Sequence, residues 1–183
     1  MKSENYKEKI DAVMQGIGYG WVDKDGNRHR KMEGFSDNYR LQLPGELQAS
    51  KLGVCWDQVE LERKLFADLS IKATPFFIVY YDGDKCPTHT FMLIEDKGKT
   101  IWYEHAWEKY AGWHEFDNLP EAIRAIRDHF LEQEHLVDIN PMNLVIYFNY
   151  PAPEKKLSCL EFYHHCEDKN NPRFRQDWLK WGS

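Results

Sequence analysis

The sequence predicts an α+β fold in which a helix that begins at a cysteine packs on an antiparallel sheet. After Cys55, apolar residues recur every three to four positions up to Leu69, which is the spacing of a helix with one buried face. Downstream, the apolar stretches 76–81, 88–94 and 100–104 are separated by short turn-forming segments. Strands joined by hairpins have this pattern.

The elements before the cysteine are predicted from amphipathic spacing and turn residues. Residues 4–15 read as an amphipathic first helix. Residues 23–27 carry Asp, Gly and Asn and predict the turn of a small hairpin. Their Asp-x-Asp-x-Asn pattern has its glycine at the wrong place for a calcium loop, so a plain turn is favoured. Pro44 to Ser50 predicts a short helical turn.

The elements after the third strand follow from similar signals. The aromatic-rich stretch 105–114 either lines a cleft or packs the edge of the sheet. A capping box formed by Asn118 and Glu121 starts a helix that runs to about Glu134. We further expect a buried strand over 143–150, a last helix over 155–166, and a tail whose Trp178 and Trp181 dock on the body.

Composition limits the classes of function. The 183 residues suffice for one core, so we assign 1–183 to a single domain. The 24 basic and 30 acidic residues give a net charge of −6 without a dominant basic patch, which argues against a nucleic-acid partner. No apolar stretch is long enough to span a membrane, and the polar N-terminus lacks a signal core. These features predict a cytoplasmic protein whose four cysteines are thiols.

Cys55 is the candidate nucleophile. It lies in the first turn of the predicted helix, after a short loop that includes Gly53. The N–H groups of a first turn are unpaired and the helix dipole is positive there, so a thiolate is favoured. A thiolate is the reactive form of cysteine. The alternative is an inert cysteine buried on a core helix.

His89 and Glu104 are the candidate base and orienting acid. His89 is near the start of the second strand and lies six residues before Glu95, while Glu104 ends the third strand and lies five residues after Lys99. On adjacent antiparallel strands this register brings the two side chains together across the hairpin. In the alternative, Glu104 is an exposed strand end, and His105 or a backbone carbonyl supports His89 instead.

These three segments resemble the transglutaminase-like superfamily within the papain-like group. The matching motifs are Gly-Val-Cys55-Trp, Thr-His89-Thr-Phe-Met-Leu-Ile and Ile-Trp-Tyr-Glu104, within about 48–104, a third of the chain. The resemblance implies a papain-like core and a cysteine enzyme without a cofactor. It departs at Glu104, where the family usually has Asp. The arylamine N-acetyltransferases have a similar order of residues.

Three further residues are candidates for the cleft. Gln48 lies seven residues before Cys55, and the resemblance implies a glutamine upstream of the nucleophile that helps to hold the oxyanion. An exposed helix residue is the alternative for Gln48, and the backbone N–H of Cys55 is a more general donor. Trp56 and Trp107 are candidates for lining the cleft, although such aromatic residues also pack sheet edges.

Other cysteines and histidines do not form a convincing metal site. Cys86 and His89 are spaced as C-x-x-H, and His164, His165 and Cys166 are consecutive. A structural zinc site needs four converging ligands, usually in two close pairs, whereas consecutive residues point apart. Adding Cys159 to the two clusters does not supply the missing spacing. We therefore predict no metal and no cofactor.

Three functions follow from these observations. The first is an enzyme with a Cys-His-Glu triad that hydrolyses or transfers the acyl group of a peptide, protein or small amide, as a peptidase, deamidase or transglutaminase does. The second is an N-acyltransferase of the arylamine N-acetyltransferase type, for which the chain is short and lacks a phosphate-cradling glycine loop. The third is a non-catalytic binding module that keeps the fold. The oligomeric state is not predicted.

Overall fold

The computed structural model of the chain describes residues 5–83 and 86–174. Its helices are α1 (Asn5–Met14), α2 (Phe35–Asn38), α3 (Pro44–Ser50), α4 (Cys55–Asp68), α5 (Leu119–Gln133) and α6 (Cys159–Cys166). Its strands are β1 (Gly18–Tyr19), β2 (Trp21–Val22), β3 (Arg28–His29), β4 (Leu52–Gly53), β5 (Ala73–Tyr80), β6 (Thr88–Asp96), β7 (Lys99–Glu104), β8 (Gly112–Phe116), β9 (Leu144–Phe148) and β10 (Arg173–Phe174). Short 3₁₀ turns span Glu108–Tyr110 and Pro141–Asn143.

A six-stranded antiparallel sheet forms the centre of the structure, with the strand order β10-β9-β5-β6-β7-β8. Alternate residues of its strands pack in two opposite directions, because successive side chains of a strand point to opposite faces. Phe76, Ile78 and Leu93 join α5 in one cluster. Phe77 and Met92 join the clusters that contain α1, α4 and α6. The predicted α+β class with an antiparallel sheet is confirmed.

The hairpin of β6 and β7 sets the edge where the site forms. Its register pairs Met92 with Tyr103, and continuing it by one residue places Glu104 opposite Phe91. Because β7 ends at Glu104, no strand among the described residues pairs with the edge of β6 beside His89 on that side. The N-terminal part of α4 lies next to this edge, where Cys55 and Gln58 line one pocket together with Thr90 and Glu104.

The side chain of Trp56, in the first turn of α4, packs with α6 on one face of the sheet. The Trp56 ring stacks on Phe162 at a centroid distance of 4.6 Å and packs edge-on against Phe35 and Tyr39. Its indole N–H donates to Oγ1 of Thr88 at 3.2 Å. This aromatic cluster fixes the first turn of α4 relative to the start of β6.

Several predicted boundaries differ from those of the structure. The aromatic stretch after β7 contains the edge strand β8, whose Trp113 packs on Tyr103. The last helix begins at Cys159 rather than 155, because Ser158 caps it and exchanges hydrogen bonds with Glu161. The predicted strand over 143–150 is shorter, at Leu144–Phe148. The predicted docking of Trp178 and Trp181 lies outside the described residues.

The turn and cap predictions are confirmed with one variation. The predicted hairpin forms between β2 and β3, and the side chain of Asp23 accepts hydrogen bonds from its own turn, as a plain turn requires. Asn118 accepts a hydrogen bond from the Glu121 backbone at 3.0 Å, while the Glu121 carboxylate reaches Asp117 rather than Asn118. Within residues 5–83 and 86–174, no helix is long and apolar enough to cross a membrane.

Phe162 provides a test of the packing around α4. We expect Phe162→Ala to lower the free energy of unfolding by about 3–5 kcal/mol, because it empties a fully buried site beside Trp56. On the same helix, Leu160 is exposed, and Leu160→Ala should change stability by no more than about 0.5 kcal/mol. Urea unfolding measures both, and similar losses in the two variants would contradict the assigned packing.

Candidate active site

Cys55 is the first residue of α4. The two-residue strand β4 leads into it, and β4 pairs in parallel with β1, with Tyr19 opposite Gly53. A Cβ atom at Gly53 would lie 2.6 Å from the Leu47 side chain and 2.9 Å from Cβ of Asp57, distances that real Cβ contacts do not reach. Glycine therefore allows the chain to enter the helix closely packed, with the cysteine at its N-terminus.

Asp57 holds the start of this helix in place. Its carboxylate accepts hydrogen bonds from the Tyr39 hydroxyl at 2.8 Å, the Gln42 backbone at 2.8 Å and the Val54 backbone at 3.0 Å. Burial raises the pKa of Asp57 to about 7, although these hydrogen bonds favour the charged form. The carboxylate thus ties the segment 39–42 to the turn that carries Cys55.

His89 and Glu104 form a buried pair. The distance from His89 Nε2 to Glu104 Oε2 is 2.8 Å, and the side chains are 1% and 3% exposed. Since Glu104 continues the register opposite Phe91, the two residues are diagonal neighbours on one face of the hairpin. Diagonal positions are farther apart than direct ones, so the length of a Glu side chain suits this arrangement.

Trp107 completes the surroundings of this pair. Its backbone N–H donates to the other carboxylate oxygen of Glu104 at 2.8 Å. Its ring stacks on the imidazole of His89 with centroids 3.5 Å apart and an angle of 14° between the planes. The aromatic face attracts a positive charge, so the stacking favours the imidazolium.

The charge of His89 is set by these neighbours. Burial is the largest single effect and disfavours the imidazolium, but the charge and hydrogen bond of Glu104 and the interaction with the Cys55 side chain together outweigh it. The pKa of His89 is therefore raised above its usual value. Because Nε2 faces Glu104, Nδ1 is the ring nitrogen left for the thiol. Glu104, His89 and Cys55 are thus brought together, with the histidine interacting with both the carboxylate and the thiol.

The other predicted site residues occupy different surroundings. Gln48 lies half-buried in α3, and in the described part of the chain no hydrogen bond joins it to Cys55, His89 or Glu104. The Trp56 ring is in the core, 3% exposed, rather than at an open cleft. Trp107 is buried as well, but it contacts the histidine directly.

Tyr19 is a residue of the site that the sequence analysis missed. It is 44% exposed and stands beside Gly53, two residues before the nucleophile. No local pattern marks Tyr19, because a two-residue parallel pairing with a segment more than 30 residues away brings it there.

The described residues contain no group of three or more His, Cys, Asp or Glu side chains able to hold a metal ion. His89 is engaged by Glu104. His165 faces the carbonyl of Pro151 at 2.7 Å, and the Cys166 thiol is buried in the core. The two clusters considered from the sequence therefore do not converge.

A scan against protein-family models finds no match to this chain, and a search of the curated proteins finds no similar sequence. Any function proposed for the chain therefore rests on the geometry of Cys55, His89 and Glu104.

The role of Glu104 in charging His89 can be tested by titration. We expect Glu104→Gln to lower the pKa of His89 to or below the usual value near 6.5, because burial then acts without its counter-charge. NMR titration of the imidazole measures this shift. Glu115→Gln, an exposed substitution on β8, should leave it unchanged. An unaltered His89 pKa in Glu104→Gln would rule out the carboxylate as the cause.

Proposed function

We propose that this protein is a cysteine-dependent acyl-transfer enzyme with a papain-like, transglutaminase-like core and the triad Cys55, His89 and Glu104. The observation that carries the proposal is the buried His89–Glu104 pair next to a cysteine at the first position of a helix. A buried ion pair is costly unless it is well satisfied. Its placement beside a thiol gives it the arrangement of a nucleophile, a base and an orienting acid.

The proposed reaction uses each residue in turn. The Cys55 thiolate attacks an amide carbonyl carbon, a C–S bond forms, and the C–N bond breaks as His89 protonates the leaving amine. Water or a second amine then attacks the thioester and gives its proton to His89 while the C–S bond breaks. Glu104 keeps the imidazole oriented and stabilises its charged form throughout.

The helix start supports the negative charge that develops on the substrate. The backbone N–H of Cys55 is at the first helical position, where the helix offers no acceptor. An N–H group so placed, together with the positive end of the dipole, stabilises an oxyanion next to the sulfur. This donor does not depend on Gln48.

We infer an amide of a peptide, a protein or a small molecule as the substrate. Cys55 is only 7% exposed, so we expect a slender acyl side chain to reach it more readily than a bulky one. Tyr19 is exposed on the strand paired with the segment before Cys55. The proposed activity needs Cys55 as a free thiol, which fits a reducing, cytoplasmic location.

Selective alkylation separates an enzyme from a binding module that keeps the fold. We expect iodoacetamide at pH 6 to modify Cys55 before the other cysteines, since an ordinary thiol is almost wholly protonated there. Peptide mapping by mass spectrometry identifies the site. The half-buried Cys86 and Cys159 serve as internal references, and equal or slower modification of Cys55 would reject the nucleophile.

Substitution of Cys55 tests the same role by activity. We expect Cys55→Ala to abolish acylation by p-nitrophenyl acetate, an activated ester that reports reactive thiols, while thermal melting shows a folded protein. Cys86→Ser should retain the reaction, because Cys86 lies near Gly83 and not at a helix start. Full acylation of Cys55→Ala would exclude Cys55.

Glu104 is tested by charge and by length. We expect Glu104→Gln to reduce the acylation rate by about 10²–10⁴-fold, because the imidazolium loses its counter-charge. Glu104→Asp should lose less of the rate, because the negative charge remains. A partial loss is still expected, because the shorter side chain must reach His89 across a diagonal pair. A rate for Glu104→Gln within twofold of wild type would reject the triad role.

A further inference from the structure

A second group of buried polar side chains lies behind the triad. Gln58, Glu62 and Thr90 line the same internal pocket as Cys55 and Glu104. Each is at most 2% exposed. Within residues 5–83 and 86–174, Gln58 Oε1, Glu62 Oε2 and Thr90 Oγ1 have no hydrogen-bond partner. Buried polar atoms without partners are costly, so three in one pocket require an explanation.

The spacing along α4 connects this group to the nucleophile. Gln58 and Glu62 follow Cys55 by three and seven residues, which places all three on one face of the helix. Residues four apart on a helix are direct neighbours, so the side chains of Gln58 and Glu62 lie next to each other on the wall of this pocket. The other end of Gln58, Nε2, donates to the carbonyl of Gly53 at 2.9 Å.

Counting donors shows what the group lacks. With Glu62 ionised, the three unpartnered atoms comprise two acceptors and one hydroxyl, so the single Thr90 proton serves only one of them. A proton on Glu62 adds a second donor, and the carboxylic acid can then donate to Gln58 Oε1. The number of donors then comes closer to the number of acceptors in the group.

The surrounding charges also favour the protonated acid. Burial raises the pKa of Glu62 well above its usual range, Glu104 and Cys55 add to this effect, and His89 opposes it. The titratable groups that face Glu62 come from α4, from the hairpin of β6 and β7 and from the residue after it: Cys55, Glu60, His89, Tyr103, Glu104 and His105. Asp11 of α1 interacts in turn with Tyr103.

We infer that Glu62 is a neutral carboxylic acid that donates to Gln58 and thereby braces the Gly53 loop in front of the nucleophile. Glu62 is a positioning residue, because it acts through Gln58 and does not touch the reacting atoms. Its link to reactivity rests on the proposed function of Cys55, whereas its protonation does not.

The protonation is tested by stability against pH. Above the usual Glu range the unfolded chain releases this proton and the folded chain keeps it, so wild type loses stability as pH rises. Glu62→Gln cannot lose the proton. Its melting temperature should therefore gain on wild type by about 3–5 °C for each pH unit between 5 and 7. Glu154→Gln, an exposed control, should show no such trend.

The positioning is tested by the rate of Cys55 alkylation with iodoacetamide at pH 6. The amide of Glu62→Gln still donates to Gln58 Oε1, so its rate should stay within about twofold of wild type. Glu62→Ala removes the donor, and its rate should fall at least tenfold. Equal rates in Glu62→Ala and Glu62→Gln would overturn the positioning role.

Two results keep the protonation apart from the proposed activity. If Cys55 is unreactive in wild type, the proposed function and the brace both fail, while the melting trend still decides the charge of Glu62. If Glu62→Gln does not fold, carbon-13 NMR of the wild-type glutamate side chains replaces it. A Glu62 carboxyl that is ionised at pH 6, or a melting difference independent of pH, would overturn the neutral acid.

Discussion

The buried pair of His89 and Glu104 is the interaction on which the rest of the site depends. Two charges removed from water lose several kcal/mol of hydration each, by an order-of-magnitude estimate, so the pair persists only where every remaining contact favours it. The Trp107 N–H satisfies the second oxygen of Glu104, and the Trp107 ring covers the imidazole. The short segment after β7 therefore covers the pair. Its Trp107 ring both packs against His89 and favours the positive charge of the imidazole.

The features that the sequence predicted best are those encoded locally. The start of α4 at Cys55 follows from helical periodicity after a glycine loop, and the His89–Glu104 contact follows from two strands and the turn between them. The cap at Asn118 uses residues within four positions of the helix start. Such contacts are readable because the residues that make them are close in the chain.

The features that could not be predicted depend on distant segments. Asp57 reads as an ordinary acid in a first helical turn, yet Tyr39 and Gln42 bury it. Trp56 reads as a residue near the nucleophile, but Phe162, more than 100 positions later, draws it into the core. Tyr19 reaches the site by pairing with β4. Neither periodicity nor spacing reports which remote segment fills the space beside a side chain.

The turn between β6 and β7 has a consequence beyond joining two strands. Lys97 and Gly98 adopt left-handed conformations there, and Asp96 pairs with Lys99, so the loop has a fixed length. A strand shifted by one residue presents its opposite face, so inserting one residue into this exposed loop would turn either His89 or Glu104 away from the other. The length of the loop thus sets the register that brings His89 and Glu104 together. This length is constrained by the pair, although the loop lies at the other end of the hairpin.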